Sequence, residues 1–270
     1  MSKFIRTNFN LKTLTDNSYK AIDEGAYDSE EYGFSRHDSI SIKKTILSCP
    51  HAPLIIEIKF SSPSRGRIIR GVNVIELASL IVSSGACGLS VLTQPYLFNG
   101  SINYLAMIRH KVNVPLLMKD ITVSEIQIDA AKRIGADCVL LIKTIFDQDL
   151  AEGSIEKFTE YAYKKGLQVI IEVHSEKEFE EVLKFKQQQT NLIGINNRDL
   201  NSLITDVYTT ERLLRKYNKG KNIIISESGI SQPKEIQSLK KSGADAFLVG
   251  TSIMEAHDIV SKVRELYLSF

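Results

Sequence analysis

Short runs of β-branched and other apolar residues recur after about residue 50, and amphipathic segments separate them. This alternation is typical of βαβ units on a parallel sheet. Eight runs can be counted, namely Leu54 to Lys59, Gly88 to Thr93, Pro115 to Lys119, Asp137 to Ile142, Gln168 to Val173, Leu192 to Asn196, Asn222 to Glu227 and Ala246 to Gly250. Their even spacing, with no G-x-G-x-x-G after the first, favours an α/β fold closed as a (β/α)8 TIM barrel over an open doubly wound sheet.

The segments between the runs carry helix signals. Three runs follow a Gly-Ala pair, at Gly85, Gly135 and Gly243. Glycine accepts the left-handed conformation, so each pair predicts a helix that ends just before a strand. Ser175 with Glu178 predicts a capping box, and Pro233 predicts the first turn of another helix.

The first 50 residues are more polar and contain no clear strand. We expect residues 1–50 to form an N-terminal extension with one or two helices, such as Ser39 to Leu47, packed on the barrel. Residues 51–270 are then the catalytic barrel domain, since barrels of this length fold as one unit.

Composition narrows the range of partners. The residues are 43% hydrophobic and 24% charged, as in ordinary globular proteins. The net charge of +2 is spread along the chain without a basic stripe, so a nucleic-acid partner is not expected. No apolar run is long enough for a bilayer, and the start does not resemble a signal peptide. We therefore expect a cytoplasmic protein without a membrane partner.

Cysteine and histidine usage argues against a metal or redox centre. Cys49, Cys87 and Cys138 form no C-x-x-C pair, and we expect all three to be structural thiols in a reducing compartment. The histidines show no spacing typical of metal ligands. No metal and no cofactor are expected.

Polar residues stand at the ends of the apolar runs. They are Glu57, Lys59, Lys119, Glu172, Asn196 and Glu227. Alternate residues of a strand share a face, so Glu57 and Lys59 point together into the barrel while Ile56 and Ile58 face the helices. Unpaired buried ions are costly, and the carboxyl-terminal rim of such barrels holds the active site. The whole set therefore predicts a catalytic rim, although any one of its members could be a structural ion pair.

Glycines follow the last two runs, in Glu227-Ser228-Gly229-Ile230 and Gly250-Thr251-Ser252. Free backbone amides in these two loops commonly hold a phosphate in barrels. The pattern predicts a phosphate monoester as substrate. Two further side chains are ambiguous: next to Ser175, His174 fits the start of a helix better than catalysis, and Phe98 could wall an aromatic pocket or pack a loop.

At these positions the sequence resembles indole-3-glycerol phosphate synthase. The matching segments are Ile56-Glu57-Ile58-Lys59, Ser62-Pro63-Ser64, Phe98-Asn99-Gly100-Ser101, Met118-Lys119-Asp120, Glu172-Val173-His174, Gly194-Ile195-Asn196-Asn197-Arg198-Asp199-Leu200, Ser226-Glu227-Ser228-Gly229-Ile230 and Phe247-Leu248-Val249-Gly250. The resemblance implies conversion of 1-(2-carboxyphenylamino)-1-deoxyribulose 5-phosphate to indole-3-glycerol phosphate, with loss of carbon dioxide and water and without a cofactor.

The resemblance also implies residue roles. Lys119 would be the general acid of ring closure, Lys59 would hold the substrate carboxylate and donate a proton in dehydration, and Glu172 would take the remaining acid/base role. The supporting residues would be Glu57, Asn196 and Glu227 for orienting the lysines and sugar hydroxyls, Ser228, Phe98 and Arg198 for substrate binding, and Ser62, Gly229, Gly250 and Thr251 for phosphate.

The sequence departs from the usual family pattern at Phe60, Ser61, Gln94, Ile121 and Thr251, with Gln94 standing in place of an acidic residue. Three alternatives stay open on the residues: a paralogue acting on a substituted anthranilate analogue, a Schiff-base lyase or aldolase on a sugar phosphate, and a barrel that binds a phosphate ligand without turnover. The oligomeric state expected is a monomer or weak homodimer.

Overall fold

A computed structural model describes residues 10–28, 37–59, 61–62, 66–67, 73–96, 98–185, 192–200 and 202–270, with only the backbone described at 61–62 and 66–67. Strand β1 (Leu54–Ile58) is followed by an antiparallel pair of two-residue strands, β2 (Ser61–Ser62) and β3 (Gly66–Arg67). The remaining strands are β4 (Gly88–Leu92), β5 (Leu116–Lys119), β6 (Cys138–Ile142), β7 (Gln168–Val173), β8 (Leu192–Asn196), β9 (Ile223–Glu227) and β10 (Ala246–Val249).

Strand β1 and strands β4 to β10 close a parallel barrel in chain order, with β10 paired to β1. The predicted (β/α)8 barrel is confirmed. The helices are α1 (Leu11–Asp23), α2 (Ile42–Ser48), α3 (Val74–Ser83), α4 (Ile102–Arg109), α5 (Glu125–Arg133), α6 (Lys143–Asp147), α7 (Ile155–Lys164), α8 (Glu176–Leu183), α9 (Tyr208–Lys216), α10 (Pro233–Ser242), α11 (Thr251–Met254) and α12 (Ile259–Tyr267). All residues of β1, β4, β6 and β9 are buried, because both faces of a parallel sheet are covered.

The local signals of the sequence are found where they were predicted. Gly85, Gly135 and Gly243 adopt φ values of 121°, 84° and 109°, each just after a helix. Ser175 and Glu178 form the predicted capping box, and α10 begins with proline. Local hydrogen bonds and backbone sterics decide these features, so a short stretch of sequence suffices to predict them.

The described part of the N-terminal segment contacts both ends of the barrel. At the rim, the Tyr19 hydroxyl of α1 donates to the Leu150 carbonyl at 3.2 Å. At the opposite end, Asp137 Oδ1 directly before β6 accepts from the Ile40 backbone amide at 2.7 Å and lies 2.9 Å from His37 Nε2. Helix α2 begins at Ile42 rather than at Ser39 as predicted, because Ser41 caps it by accepting a hydrogen bond from the Lys44 backbone amide. The division at residue 50 stays a prediction.

Cys87 and Cys138 are buried, Cys49 is partly buried, and all three are free thiols. Within the described ranges, no three histidine, cysteine or acidic side chains gather as metal ligands. None of the helices described combines the length and apolarity needed to cross a membrane.

Candidate active site

A cavity of about 540 Å³ opens among the carboxyl-terminal ends of the barrel strands. The predicted strand-end residues all line it, namely Glu57, Lys59, Lys119, Glu172, Asn196 and Glu227. Strand register explains this convergence, because Asn196 is paired with Glu227, and Leu92 with Lys119, across neighbouring strands. Side chains at one level of adjacent parallel strands share a face, so residues distant in sequence meet at the rim.

Lys119 lies at the centre of the charged cluster. Its Nζ donates to Glu227 Oε2 at 3.0 Å and contacts Glu172 Oε2. Burial lowers the pKa of Lys119, but the carboxylates of Glu172, Glu227 and Glu57 outweigh burial and raise it above the ordinary lysine value. The Lys119 side chain is therefore an ammonium that several acids orient.

Glu172 receives contacts from three sides. Besides Lys119, Asn196 Nδ2 donates to Glu172 Oε1 at 3.1 Å, and His174 Nε2 lies 3.0 Å from the same oxygen. Burial raises the pKa of Glu172, but the Lys119 ammonium and the contact with His174 outweigh it and place the pKa well below its usual range. Glu172 is thus a carboxylate at neutral pH.

Glu227 behaves in the opposite way. Burial, together with the neighbouring Glu172 carboxylate, raises its pKa to about 8 despite the contact with Lys119. Glu227 therefore carries a proton at neutral pH. Gly194 on β8 makes room for it, because a Cβ at Gly194 would lie 2.2 Å from Glu227 Oε1.

A second ion pair lies beside the first. Lys59 Nζ is 2.8 Å from Glu57 Oε1. Burial raises the pKa of Glu57, but the Lys59 and Lys119 ammonium groups outweigh it and lower the pKa overall. With Glu227 protonated, two ammonium groups face two carboxylates, so the buried cluster is close to neutral before a substrate enters.

Two loops on one side of the cavity carry Gly229, Gly250 and Thr251, which are predicted to bind phosphate, and Ser228, which is predicted to bind another part of the substrate. Ser228 and Gly229 after β9 adopt φ values of 67° and 87°, and α11 begins at Thr251 after Gly250. All four of these residues line the cavity. The two loops are joined by the Ser252 hydroxyl, which donates to the carbonyl of Ile230 at 2.8 Å.

Of the other residues predicted to contact the substrate, two line the cavity and one has no described side chain. Phe98 lines the cavity and also packs against the hydrophobic core, and its contact with an aromatic substrate stays a prediction. Arg198 lines the cavity, with its Nε donating to Thr205 Oγ1 at 3.2 Å. Only the backbone of Ser62 is described, so its predicted phosphate contact, like the departure at Phe60, lies outside the described residues.

Sequence reasoning missed a buried hydrogen-bond network around Asp120, the residue after Lys119. The Tyr27 hydroxyl donates to the Asp120 carboxyl at 3.0 Å, and Gln127 Nε2 donates to the Tyr27 hydroxyl at 3.1 Å. Burial raises the pKa of Asp120 to about 6, although the hydrogen bonds that its carboxyl accepts lower it. In the sequence, only the position of Asp120 directly after Lys119 indicated that Asp120 could lie near the site. Nothing local pointed to Tyr27, since 93 residues separate the two.

Two further residues have roles that the sequence did not reveal. The His174 backbone amide donates to Glu178 Oε2 at 2.7 Å, in keeping with the predicted helix start, but its ring also contacts Glu172. Asn197 is buried, and its Nδ2 donates to the Ser228 carbonyl at 3.0 Å, which fixes the loop after β9. The Gly-Ile-Asn-Asn-Arg segment was the signal for Asn197.

Comparison with known proteins agrees with this arrangement. The family model of indole-3-glycerol phosphate synthase matches residues 27–266. An enzyme of that name from Methanocaldococcus jannaschii is 42% identical over 219 residues, covering 80% of this chain and 78% of its own. One from Aquifex aeolicus is 37% identical over 238 residues, covering 88% and 89%.

A solved structure, thiamine phosphate pyrophosphorylase from Pyrococcus furiosus, superposes with a TM-score of 0.57 over 82% of this chain and 95% of that one. Its 16% identity shows a shared fold and no more. The family model and the two synthases show more than the fold: this chain belongs to the indole-3-glycerol phosphate synthase family.

Proposed function

We propose that the cavity catalyses the family reaction, which turns 1-(2-carboxyphenylamino)-1-deoxyribulose 5-phosphate into indole-3-glycerol phosphate, carbon dioxide and water. The enzyme is then a carboxy-lyase. The observation that carries this proposal is the position of Lys119, which two glutamates hold in the same cavity as the glycine loops that suit a phosphate.

Ring closure is the first step. The aromatic carbon that bears the carboxylate attacks the ketose carbonyl, and Lys119 Nζ gives a proton to the carbonyl oxygen, which becomes a hydroxyl. Carbon dioxide then leaves, and its bonding electrons restore the aromatic ring. Protonated Glu227, 3.0 Å from Nζ, is placed to return a proton to Lys119. Such positioned acids contribute about 10²–10⁴-fold each.

Dehydration is the second step. Lys59 protonates the new hydroxyl, which leaves as water while the aniline nitrogen supplies electrons. Glu172 takes the proton from the adjacent methylene carbon, which completes the indole. The low pKa of Glu172 fits a group that is ionised before this transfer, and Asn196 fixes its orientation from 3.1 Å.

The remaining residues would bind and orient the substrate. Gly229, Gly250, Thr251 and Ser62 are assigned to the phosphate, while Ser228, Phe98 and Arg198 are assigned to the rest of the substrate. Glu57 holds Lys59 at 2.8 Å. We also propose that the protein is cytoplasmic and is a monomer or weak homodimer.

A covalent lyase mechanism is less well supported. Imine formation needs a neutral amine, and the carboxylates around Lys119 raise its pKa and keep it charged. The comparisons support neither this class nor a substituted substrate.

The test is direct incubation with the carboxyphenylamino deoxyribulose phosphate, with indole-glycerol phosphate followed by fluorescence. Product is expected without an added cofactor. If purified protein yields no product, the proposed function is wrong. Borohydride treatment during turnover is expected to trap no adduct, whereas a trapped adduct on Lys119 would favour the covalent class.

A further inference from the structure

Two of the three cysteines lie together at the amino-terminal end of the barrel strands, away from the candidate active site. Cys49 follows the last residue of α2, and Cys87 lies directly before β4. The Cys87 backbone amide donates to the Leu54 carbonyl at 2.9 Å, so the segments that lead into β1 and β4 run side by side. The thiol groups of the two cysteines meet there in a side-chain hydrogen bond.

Tyr267 of α12 packs against both of these segments. Its ring centroid lies 4.8 Å from that of His51, and its carbonyl accepts from the Ala52 backbone amide at 3.1 Å. On the other segment, a Cβ at Gly85 would lie 2.7 Å from the same tyrosine ring. Burial raises the pKa of Tyr267, and the two neighbouring cysteines raise it further. The two segments are therefore fixed against one helix, with both sulfur atoms close to its tyrosine.

The surroundings of Cys49 favour its thiolate. The hydrogen bond with Cys87 lowers the pKa of Cys49, and burial opposes it. The backbone amide and ring of His51 and the Lys240 ammonium add to the lowering, so the pKa falls to about 6. The same hydrogen bond, together with burial, raises the pKa of Cys87 well above the usual value. Because Cys49 is partly exposed and Cys87 is buried, an accessible thiolate contacts a shielded neutral thiol.

We propose that Cys49 is a site of oxidation by hydrogen peroxide and that Cys87 converts the oxidised sulfur into a disulfide. The Cys49 thiolate attacks one oxygen of the peroxide. The O–O bond breaks, and its electron pair leaves with hydroxide, which takes up a proton as water. The Cys87 sulfur then attacks the sulfenic acid, and its proton leaves with the hydroxyl as a second water. Each sulfur loses one electron, and the peroxide gains both.

The disulfide would join the N-terminal segment to the barrel. A cross-link between α2 and the start of β4 restricts the unfolded chain, so it should raise the unfolding temperature. In a reducing compartment such a bond is transient and serves as a response to oxidant. The sequence shows no C-x-x-C pair because these two cysteines meet only through the fold.

The test treats the reduced protein with hydrogen peroxide, alkylates the remaining thiols in denaturant with N-ethylmaleimide and measures the mass. Wild type should lose two hydrogens, keep one alkylated thiol and yield joined peptides of Cys49 and Cys87. Dithiothreitol should make all three thiols available again. Cys138→Ser is the matched control, because Cys138 is fully buried on β6 and its Sγ donates to the Val139 carbonyl at 3.6 Å. This variant should form the same disulfide as wild type.

Two further variants separate the roles of the pair. Cys49→Ser should leave Cys87 and Cys138 unoxidised, because both are buried. Cys87→Ala should stop at the sulfenic acid of Cys49, which dimedone traps as a covalent adduct. It should also move the midpoint of the pH dependence of Cys49 alkylation by iodoacetamide upward from about pH 6, by about one unit, because the thiolate loses a hydrogen-bond donor.

Thermal unfolding shows whether each reduced variant folds. Oxidised wild type should unfold at a temperature higher than reduced wild type by about 5 °C or more, whereas oxidant should not change the unfolding temperature of Cys49→Ser. Oxidation of Cys49 without linkage to Cys87, a disulfide between two protein molecules, or an unchanged mass of wild type would overturn the inference. Since no substrate is used, these outcomes are independent of the proposed function.

Discussion

Glu227→Gln tests the electrostatics of the site most directly. Glu227 is 1% exposed, and burial raises its pKa to about 8. Glutamine has the shape of protonated glutamate and cannot ionise. The substitution therefore removes the proton equilibrium while leaving the space made by Gly194 filled.

The size of the effect follows from linkage. An unfolded chain releases the Glu227 proton near the ordinary value of 4.5, whereas the folded protein keeps it up to about pH 8. Wild type therefore loses stability from this group as pH rises between those values, at about 1.4 kcal/mol per pH unit. The total is at most about 5 kcal/mol, since the shift spans roughly 3.5 units.

Urea unfolding of both proteins from pH 5 to pH 8 measures this difference. The free energy of unfolding of Glu227→Gln minus that of wild type should become more positive with rising pH and level off above pH 8. Glu156→Gln is the control, because Glu156 is exposed at the start of α7. The free energy of unfolding of this variant minus that of wild type should not rise with pH in the same way. A difference for Glu227→Gln that stays constant with pH would show that Glu227 is ionised in the folded protein.

Lys119→Ala should lower turnover by at least about 10²-fold with little change in substrate affinity, because it removes the proton donor of ring closure; single-turnover kinetics and calorimetry measure the two. Gly194→Ala should lose activity and stability, because its Cβ would lie 2.2 Å from Glu227 Oε1; product fluorescence and thermal unfolding report both. Tyr27→Phe should lower the unfolding free energy by about 1–3 kcal/mol in urea, because Asp120 loses a buried donor.

Controls for these variants come from the same chain. Tyr208→Phe changes a tyrosine that is 60% exposed and should leave stability unchanged. Near-normal turnover in Lys119→Ala would remove this lysine from the proposed mechanism. Wild-type activity in Gly194→Ala would mean that Glu227 has more space than the structure gives it. Equal stabilities for Tyr27→Phe and Tyr208→Phe would contradict the buried network.

Much of the fold was predictable because its signals are local. A strand buried on both faces needs a continuous apolar run, and the alternation of side chains already placed Glu57 and Lys59 on one face. The capping box at Ser175 and the left-handed Gly243 depend on a few neighbouring residues. Register then brought the strand ends to one rim, as parallel strands in a closed barrel must.

Pairing within the site was not predictable in this way. Lys119 meets Glu172 and Glu227 across 53 and 108 residues of chain, and only the barrel geometry decides that it lies between them. Both carboxyl groups are buried, but burial raises the pKa of Glu227, whereas at Glu172 the contacts with Lys119 and His174 outweigh burial and lower the pKa. Two glutamates that look alike in the sequence therefore hold different protonation states.

By itself, the sequence determined which residues reach the rim, because the two-residue period of a strand and the signals that end helices act over short distances. The tertiary structure decided which ions pair, that Tyr27 supports Asp120 from the N-terminal segment, and that the Cys49 and Cys87 thiols meet. Hydrogen bonding and desolvation depend on every group within a few ångströms, and these groups come from distant parts of the chain.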